Sequence, residues 1–390
     1  MSVTPTNLSR GLLPGTSGSV LYTAPNTSSA TLTEITLVGS TVGSVPINLG
    51  ISVSGINYPL YVDGLVNNGA TSYLSIKQTL TSGQSITGNG GTYVASVLSG
   101  GANGAVINEP IGIAFDNQQN LWIANTFYNN ILKVASGTTT AVTVLAGNAN
   151  GATIVNPEFI AFDSQQNLWI GNYYNNNILE VLSGTTTAIS VLSGSANGAT
   201  LNGPEFIAFD SQQNMWISNT SGNNILKVAS GTTTAVSVLS GTANGIPISG
   251  PIGIAFDNQQ NLWIANFSTN NILKMASGTT TTVTVLSGTA NGATISATRG
   301  LTFDSQQNLW IASYGNSSVL KVLSGTTTAV AVLSGNNGGQ IFGSTVSGPR
   351  SIAFDNQQNM WISNYSLNNI LEVYNAPSVI NYHLNGVVIS

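Results

Sequence analysis

Six tryptophans occur in this 390-residue chain, and all six occupy one position of a repeated unit: Trp122, Trp169, Trp216, Trp263, Trp310 and Trp361. Four of the intervals are 47 residues and the last is 51, a period that belongs to β-propeller blades of about 40 to 50 residues. The unit is clearest as "IAFDNQQNLWIANTFYNNILKVASGTTTAVTVLAGNANGA", residues 113–152. Within it, short apolar runs alternate with turn-rich joints, the pattern of strands linked as a meander: "IGIAF", "NLWIAN", "NILKVAS" and "AVTVLAG". Runs such as Leu121, Trp122 and Ile123 are apolar on both faces, as a sheet buried from both sides requires. Helical spacing is absent, and the Gly, Asn and β-branched content argues against helix.

The sixth unit stops after its third strand, "NNILEVYN" at 368–375, while a lone fourth-strand copy, "TYVASVLSG" at 92–100, precedes the first unit. Pairing the two closes the ring and removes the exposed edges that would otherwise template aggregation. The expectation is an all-β chain: a six-bladed β-propeller over 91–375, closed by a strand from its N-terminal side in the manner called velcro.

These motifs resemble the NHL family, whose repeats carry a Pro, an "IAFD"-like inner strand, a "LWIAN"-like second strand and an "NNILKV"-like third. The usual Gly of the turn between the first two strands is replaced here by Asn or Gln, in "DNQQN" and "DSQQN". The resemblance implies the propeller fold over roughly 285 residues. It leaves activity open, because NHL propellers serve as protein-binding, RNA-binding, sensor and lyase modules.

Residues 1–90 carry no repeat but alternate well, as in "SVLYTAP", "ATLTEITLVG" and "SYLSIKQTL", which reads as a small antiparallel β-sandwich. The order of these pieces resembles small sandwich domains common in phage tail and virion proteins. Such sandwiches continue into one more strand, and "SVINYHLNGVVIS" at 378–390 has its alternation. The reading is a sandwich of 1–90 completed by 376–390, with the propeller inserted between them, since a closed ring brings its ends together.

Composition narrows the function. Only 5% of residues are charged, against about 25% in ordinary soluble domains, and the formal net charge is -5. No basic run could neutralise a phosphate backbone, so no nucleic-acid partner is expected. No segment approaches the roughly 18 apolar residues of a membrane span, and no secretory h-region opens the chain. With no cysteine and a single histidine, His383, outside the repeats, neither a His-ligated metal nor a Ser-His-Asp triad nor a histidine general acid has a candidate. No enzymatic activity, metal or cofactor is expected, and His383 reads as an ordinary strand residue.

Each unit repeats an aspartate, Asp116, Asp163, Asp210, Asp257, Asp304 and Asp355, read as supports of Asx turns. Lys133, Glu180, Lys227, Lys274, Lys321 and Glu372 share one third-strand position, read as a solvated outer face. Among the remaining propeller charges, four fall at one place, the entrance to the innermost strand, where successive blades carry Ile111, Glu158, Glu205, Ile252, Arg299 and Arg350. In a six-bladed ring blade 2 faces blade 5 and blade 3 faces blade 6, so glutamates oppose arginines across the channel mouth. That arrangement is either an ion-pair plug or a polar pocket for a small ligand.

The loops between second and third strands differ from blade to blade and place Phe127, Tyr128, Tyr173, Tyr174, Phe267, Tyr314 and Tyr365 on one face among Asn and Ser. Rings beside amides and hydroxyls suit carbohydrate or flat protein surfaces, or packing between neighbouring loops. The functional expectation is a phage virion structural or attachment protein. Its sandwich docks to other virion proteins or to sister copies as a homo-oligomer, and its propeller projects toward a host-surface glycan or protein. The alternative is an extracellular or surface NHL-type binding protein, a lectin or sensor ectodomain.

Overall fold

The computed structural model describes residues 104–147, 152–194, 198–241, 246–288, 293–329, 332–333 and 345–373 together with their side chains. Elsewhere it describes strands by their backbone, with Leu98 and Ser99 added. The chain divides into two compact units, one of Met1–Val94, Gln340–Gly343 and Tyr374–Ser390, the other of Ala95–Gly339 and Ser344–Val373.

The larger unit is a six-bladed β-propeller of four-stranded antiparallel sheets. In the first blade the strands run Pro110–Phe115, Leu121–Asn125, Asn130–Val134 and Ala141–Ala146, from the innermost outward. Five blades are built from consecutive strands, and the sixth takes Val94–Ser99 as its outermost strand beside Asn369–Val373. Leu98 is fully buried in a cluster with Ile107, Ile113 and Ile370, so first and last blades share one core.

Every seam between blades carries the same ring contact. The tryptophan of each blade meets the phenylalanine ending the innermost strand of the next, edge to face, from Trp122 on Phe162 at 5.7 Å to Trp361 on Phe115 at 5.7 Å. The four between them lie at 5.7 to 6.0 Å. Such pairs contribute about 0.5–1.5 kcal/mol each beyond the area they bury. A side chain can recur this faithfully only if each blade docks on its neighbour in the same register.

Two closed rings of side-chain hydrogen bonds reinforce the seams, one at each end. At the end of the Asp-containing turns, the third turn residue is Gln in every blade and adopts a left-handed backbone, φ 62–65° from Gln119 to Gln358. A non-glycine residue there costs about 1–2 kcal/mol. Its amide oxygen accepts the backbone N–H of the preceding blade's turn, as in Asn117 N to Gln166 Oε1 at 2.7 Å, and the ring closes with Asn356 N to Gln119 Oε1 at 2.7 Å. Glycine could adopt the angle but could not make this bond, which is the physical sense of the replacement noted in the sequence.

At the opposite end the residue closing each loop between second and third strands is also left-handed, from Asn129 to Asn368. Its side chain accepts the N–H that opens the next blade, and the last of these bonds joins Asn368 Oδ1 to Glu109 N at 2.8 Å. A fully buried Asn ending the second strand, Ser in the fifth blade, holds the incoming loop, as where Asn125 Oδ1 accepts Asn108 N at 2.8 Å.

The smaller unit contains two sheets. In one, the C-terminal strand Ile380–Ile389 lies between Val3–Leu12 and Ser29–Gly39, antiparallel to both, with Thr71–Leu80 beyond. The other orders Val20–Thr23, Ser85–Gly90, Val45–Val53 and Ile56–Leu60. Side-chain packing of these sheets into a sandwich, and the side chain of His383, lie outside the described residues. No helix among the described residues is long and apolar enough to cross a membrane.

Candidate functional site

The turn end of the propeller is chemically uniform. Each aspartate accepts backbone N–H groups two and four residues on, as Asp116 does from Gln118 at 3.0 Å and Asn120 at 2.8 Å. Its second oxygen takes the indole N–H of the blade's tryptophan, Trp122 Nε1 at 2.9 Å, and the amide of Asn120. Burial pushes the carboxyls of Asp116, Asp210, Asp257 and Asp304 up, but the bonds from Asn and Trp outweigh it and hold these four below the usual range.

The third-strand lysines are not a simple solvated face. Lys133 pairs in register with Trp122, lies 5.0 Å from its ring centre and 3.8 Å from Asp116 Oδ2, and three further blades repeat the trio. The reason is the antiparallel register, which puts the two side chains on one face of the sheet. Where Glu180 replaces the lysine, burial first and the neighbouring Asp163 second push its carboxyl up.

The loop end is where the blades part company. Pro or Thr opens each innermost strand, and the next two residues are Ile-Gly, Glu-Phe, Glu-Phe, Ile-Gly, Arg-Gly and Arg-Ser around the ring. Glycine is required where inner strands approach closely: a Cβ on Gly112 would stand 2.7 Å from Phe159 Cα, and one on Gly253 would strike the Arg299 carbonyl. In blades 2 and 3 that position holds Phe159 and Phe206, which stack at 3.8 Å with 25° between their planes.

The four charges meet at the mouth of the axis. Arg299 Nη1 donates to Glu205 Oε2 at 3.3 Å, both side chains largely buried. The expected opposition of Glu158 to Arg299 thus resolves differently, because the guanidinium reaches the glutamate two blades away. Burial and the adjacent Glu205 push Glu158 up to about 8, against the pull of Arg350 and Arg299. Burial also raises Glu205 against the pull of the two arginines, and it lowers Arg299 with help from Arg350.

Three of the seven loop aromatics belong to this cluster. Arg299 lies over Phe267 at 4.5 Å and Tyr314 at 5.4 Å, and Arg350 lies over Tyr365 at 4.2 Å and Tyr314 at 4.7 Å. Tyr365 also neighbours Glu109, and burial followed by that carboxylate raises its hydroxyl. The other four form two separate edge-to-face pairs, Phe127 with Tyr128 at 5.1 Å and Tyr173 with Tyr174 at 5.3 Å. Tyr173 shares a 3.1 Å hydrogen bond with Ser221 Oγ, while Phe127, Tyr128 and Tyr174 are exposed. Phe159 and Phe206 are not singled out by the sequence reading, though "PEF" against "PIG" in the repeats is a visible signal, and Glu109 stands there only as a fifth non-repeated charge.

Arg350 makes no ion pair among the described residues, and Nε of both arginines is sealed from solvent with no acceptor. Among the described residues no group of three or more His, Cys, Asp or Glu stands where it could hold a metal ion.

No family model matches the chain, and no curated protein matches it in sequence. Solved structures do match in fold. A streptogramin B lyase is 14% identical, with 73% of this chain and 97% of that one covered at a TM-score of 0.53. A gluconolactonase from Xanthomonas campestris is 14% identical over 72% and 88% at 0.55. An auxiliary nutrient binding protein from Bacteroides thetaiotaomicron is 12% identical over 87% and 96% at 0.59. Identities this low show a shared fold alone. They correct the expectation that no enzymatic activity belongs here: a lyase and a gluconolactonase use this fold, so absence of a repeat histidine does not exclude catalysis. The chain is an all-β protein whose larger unit is a six-bladed propeller of the kind found in both enzymes and binding proteins.

Proposed function

We propose that this chain is an attachment protein whose propeller recognises a ligand at its loop end, while the unit built from both chain termini docks it to a larger assembly. The observation that carries the reading is the contrast between ends. Six turns repeat one pattern of Asp, Trp and Gln bonds and vary chiefly in a Lys or Glu beside it, whereas the mouth assembles two Glu, two Arg, a stacked Phe pair and three rings over guanidinium groups, each contributed by particular blades. A scaffold role alone gives no reason to break the repeat at one end only, and loops on a rigid frame are where recognition resides.

A phage virion is the assembly that the sequence favours, through the resemblance of residues 1–90 to virion sandwich domains and the NHL-like repeats joined to them. The nutrient binding protein of the same fold supports the binding half of the reading. Two measurements test it. Mass spectrometry of purified particles should find the chain, and the isolated chain should adhere to host cells. Its absence from particles, together with adherence to cells, would move the reading to a cellular surface binding protein.

A further inference from the structure

We infer that the axial mouth binds a carboxylate carried on a sugar ring, with Arg350 as the residue that grips the carboxylate. The inference rests on the proposed recognition role of this end and names its ligand class.

Arg350 is the anomaly. Arg350 is half-buried, and a guanidinium drawn partly out of water is costly unless paired or hydrogen-bonded; Arg299 beside it has Glu205. Arg350 has no carboxylate partner among the described residues, and its Nε has no acceptor. What lies against it is aromatic: the ring of Tyr365 at 4.2 Å and that of Tyr314 at 4.7 Å, two rings inclined at 67° to each other. Cation–π contact stabilises a charge by about 0.5–2 kcal/mol and satisfies none of its five N–H donors. A planar fork seated between two rings, with no carboxylate paired to it among the described residues, matches a carboxylate in bidentate geometry.

Charge selects among anions. Glu158 makes no ion pair with Arg350 among the described residues, and burial together with the adjacent Glu205 pushes its carboxyl up against the pull of Arg350. Glu205 is engaged by Arg299, and Glu109 lies beside Tyr365. The mouth therefore has one unpaired cation with carboxyls close by, which accommodates a single negative charge. A phosphate monoester, at about -1.5 to -2 near pH 7, would bring a second charge for which the mouth has no further unpaired cation among the described residues. Tyr314 and Tyr365 supply flat apolar area with a polar tip, which suits the ring of a sugar.

The test titrates the full chain by calorimetry with methyl glucuronide, its methyl ester, methyl glucoside and inorganic phosphate, and with a uronate-terminated glycan. The acid should bind at least about tenfold more tightly than ester or glucoside, the loss expected when a bidentate partner is removed. Phosphate should compete poorly. Binding of the glycan but not the free uronide would assign the carboxylate to a polymer end. Arg350→Gln should lose about tenfold and Arg350→Lys should not restore it, with tryptophan emission unchanged as the check on folding. Affinity for the acid should fall from pH 7 to pH 9 as Glu158 ionises opposite Arg350, Arg299, Glu205 and Glu109, and Glu158→Gln should abolish that fall. Should ester and acid bind alike, phosphate bind better, or no sugar bind, the inference is overturned by the wild-type chain alone, even if the variants unfold. Host-cell adherence separates the two claims: adherence retained in Arg350→Gln removes the carboxylate and leaves the attachment reading, whereas sugar binding without adherence does the reverse.

Discussion

The two ends of the propeller start from the same repeat and reach opposite outcomes. At the turn end, all six aspartates accept the indole N–H of their own blade, and all six glutamines reach into the preceding blade. At the loop end the backbone is held just as regularly, by Asn or Ser side chains in every seam. Yet the side chains beyond that frame vary around the ring, Ile, Glu or Arg entering the mouth according to the blade. Regular bonding at both ends shows that symmetry is not what the loop end lacks. The frame is what allows Ile, Glu and Arg to stand at one repeat position without loss of the fold.

The largest effect should come from breaking the ring. Deleting 92–100 leaves the sixth blade without its outermost strand and Leu98 out of the shared core; light scattering should show aggregation. Full solubility of that deletion would count against closure by this strand.

Next is the turn end, where Asp116→Ala or Asp210→Ala orphans two backbone donors, an amide and an indole N–H. Each should cost about 2–4 kcal/mol in denaturant unfolding, with blades agreeing within about 1 kcal/mol. Because these carboxyls are held below the usual range, their stabilisation is complete above the unfolded value and is lost as pH falls through the folded one. Acid unfolding should begin below about pH 4.

Glu158→Gln should do the reverse of a core lesion. The folded value of about 8 lies above the ordinary 4.5, so between the two the folded chain binds more protons and wild-type stability falls as pH rises. The variant lacks that fall. Melting curves should nearly coincide at pH 5, with the variant melting a few degrees higher at pH 8; the opposite order would mean that Glu158 is ionised and paired.

The smallest effect tests the frame. Ala297 has φ 46° where Gly203, Gly250 and Gly348 hold the same place in other blades. Ala297→Gly should stabilise by up to about 1 kcal/mol, the strain of a Cβ in a left-handed residue less the added chain entropy. A loss of stability would show that the Ala297 methyl packs usefully.

Much of the fold was legible because its signals are local. Tryptophan spacing gave the blade, and the missing fourth strand after "NNILEVYN" pointed to "TYVASVLSG". The aspartates were readable as turn supports because an Asx turn is decided within a few residues. What escaped needed neighbours distant in sequence. The lysines look solvated until the register sets them over tryptophan and beside aspartate, and the glutamines look like poor turn residues until the next blade's N–H is in place. The mouth was read as four charges and a separate crown of rings, but Arg299 with Phe267 and Arg350 with Tyr365 make them partly one cluster. Which glutamate pairs with Arg299 depends on the reach of a side chain across the axis, which strand patterns do not encode.

The seam between last and first blades uses the same bonds as every other seam: Trp361 on Phe115, Gln119 to Asn356, Asn368 to Glu109. Chain order therefore leaves its mark only on the outermost strand of the sixth blade and none on the seams. A gene cut at any Asp-containing turn and rejoined through the present ends would rebuild six equivalent junctions, and insertions of one 47-residue module would meet compatible faces on both sides. Such a molecule is open to circular permutation and blade duplication in a way that a single-core domain is not, and the residues at its loop end could be reshuffled blade by blade without redesigning the junctions that hold it.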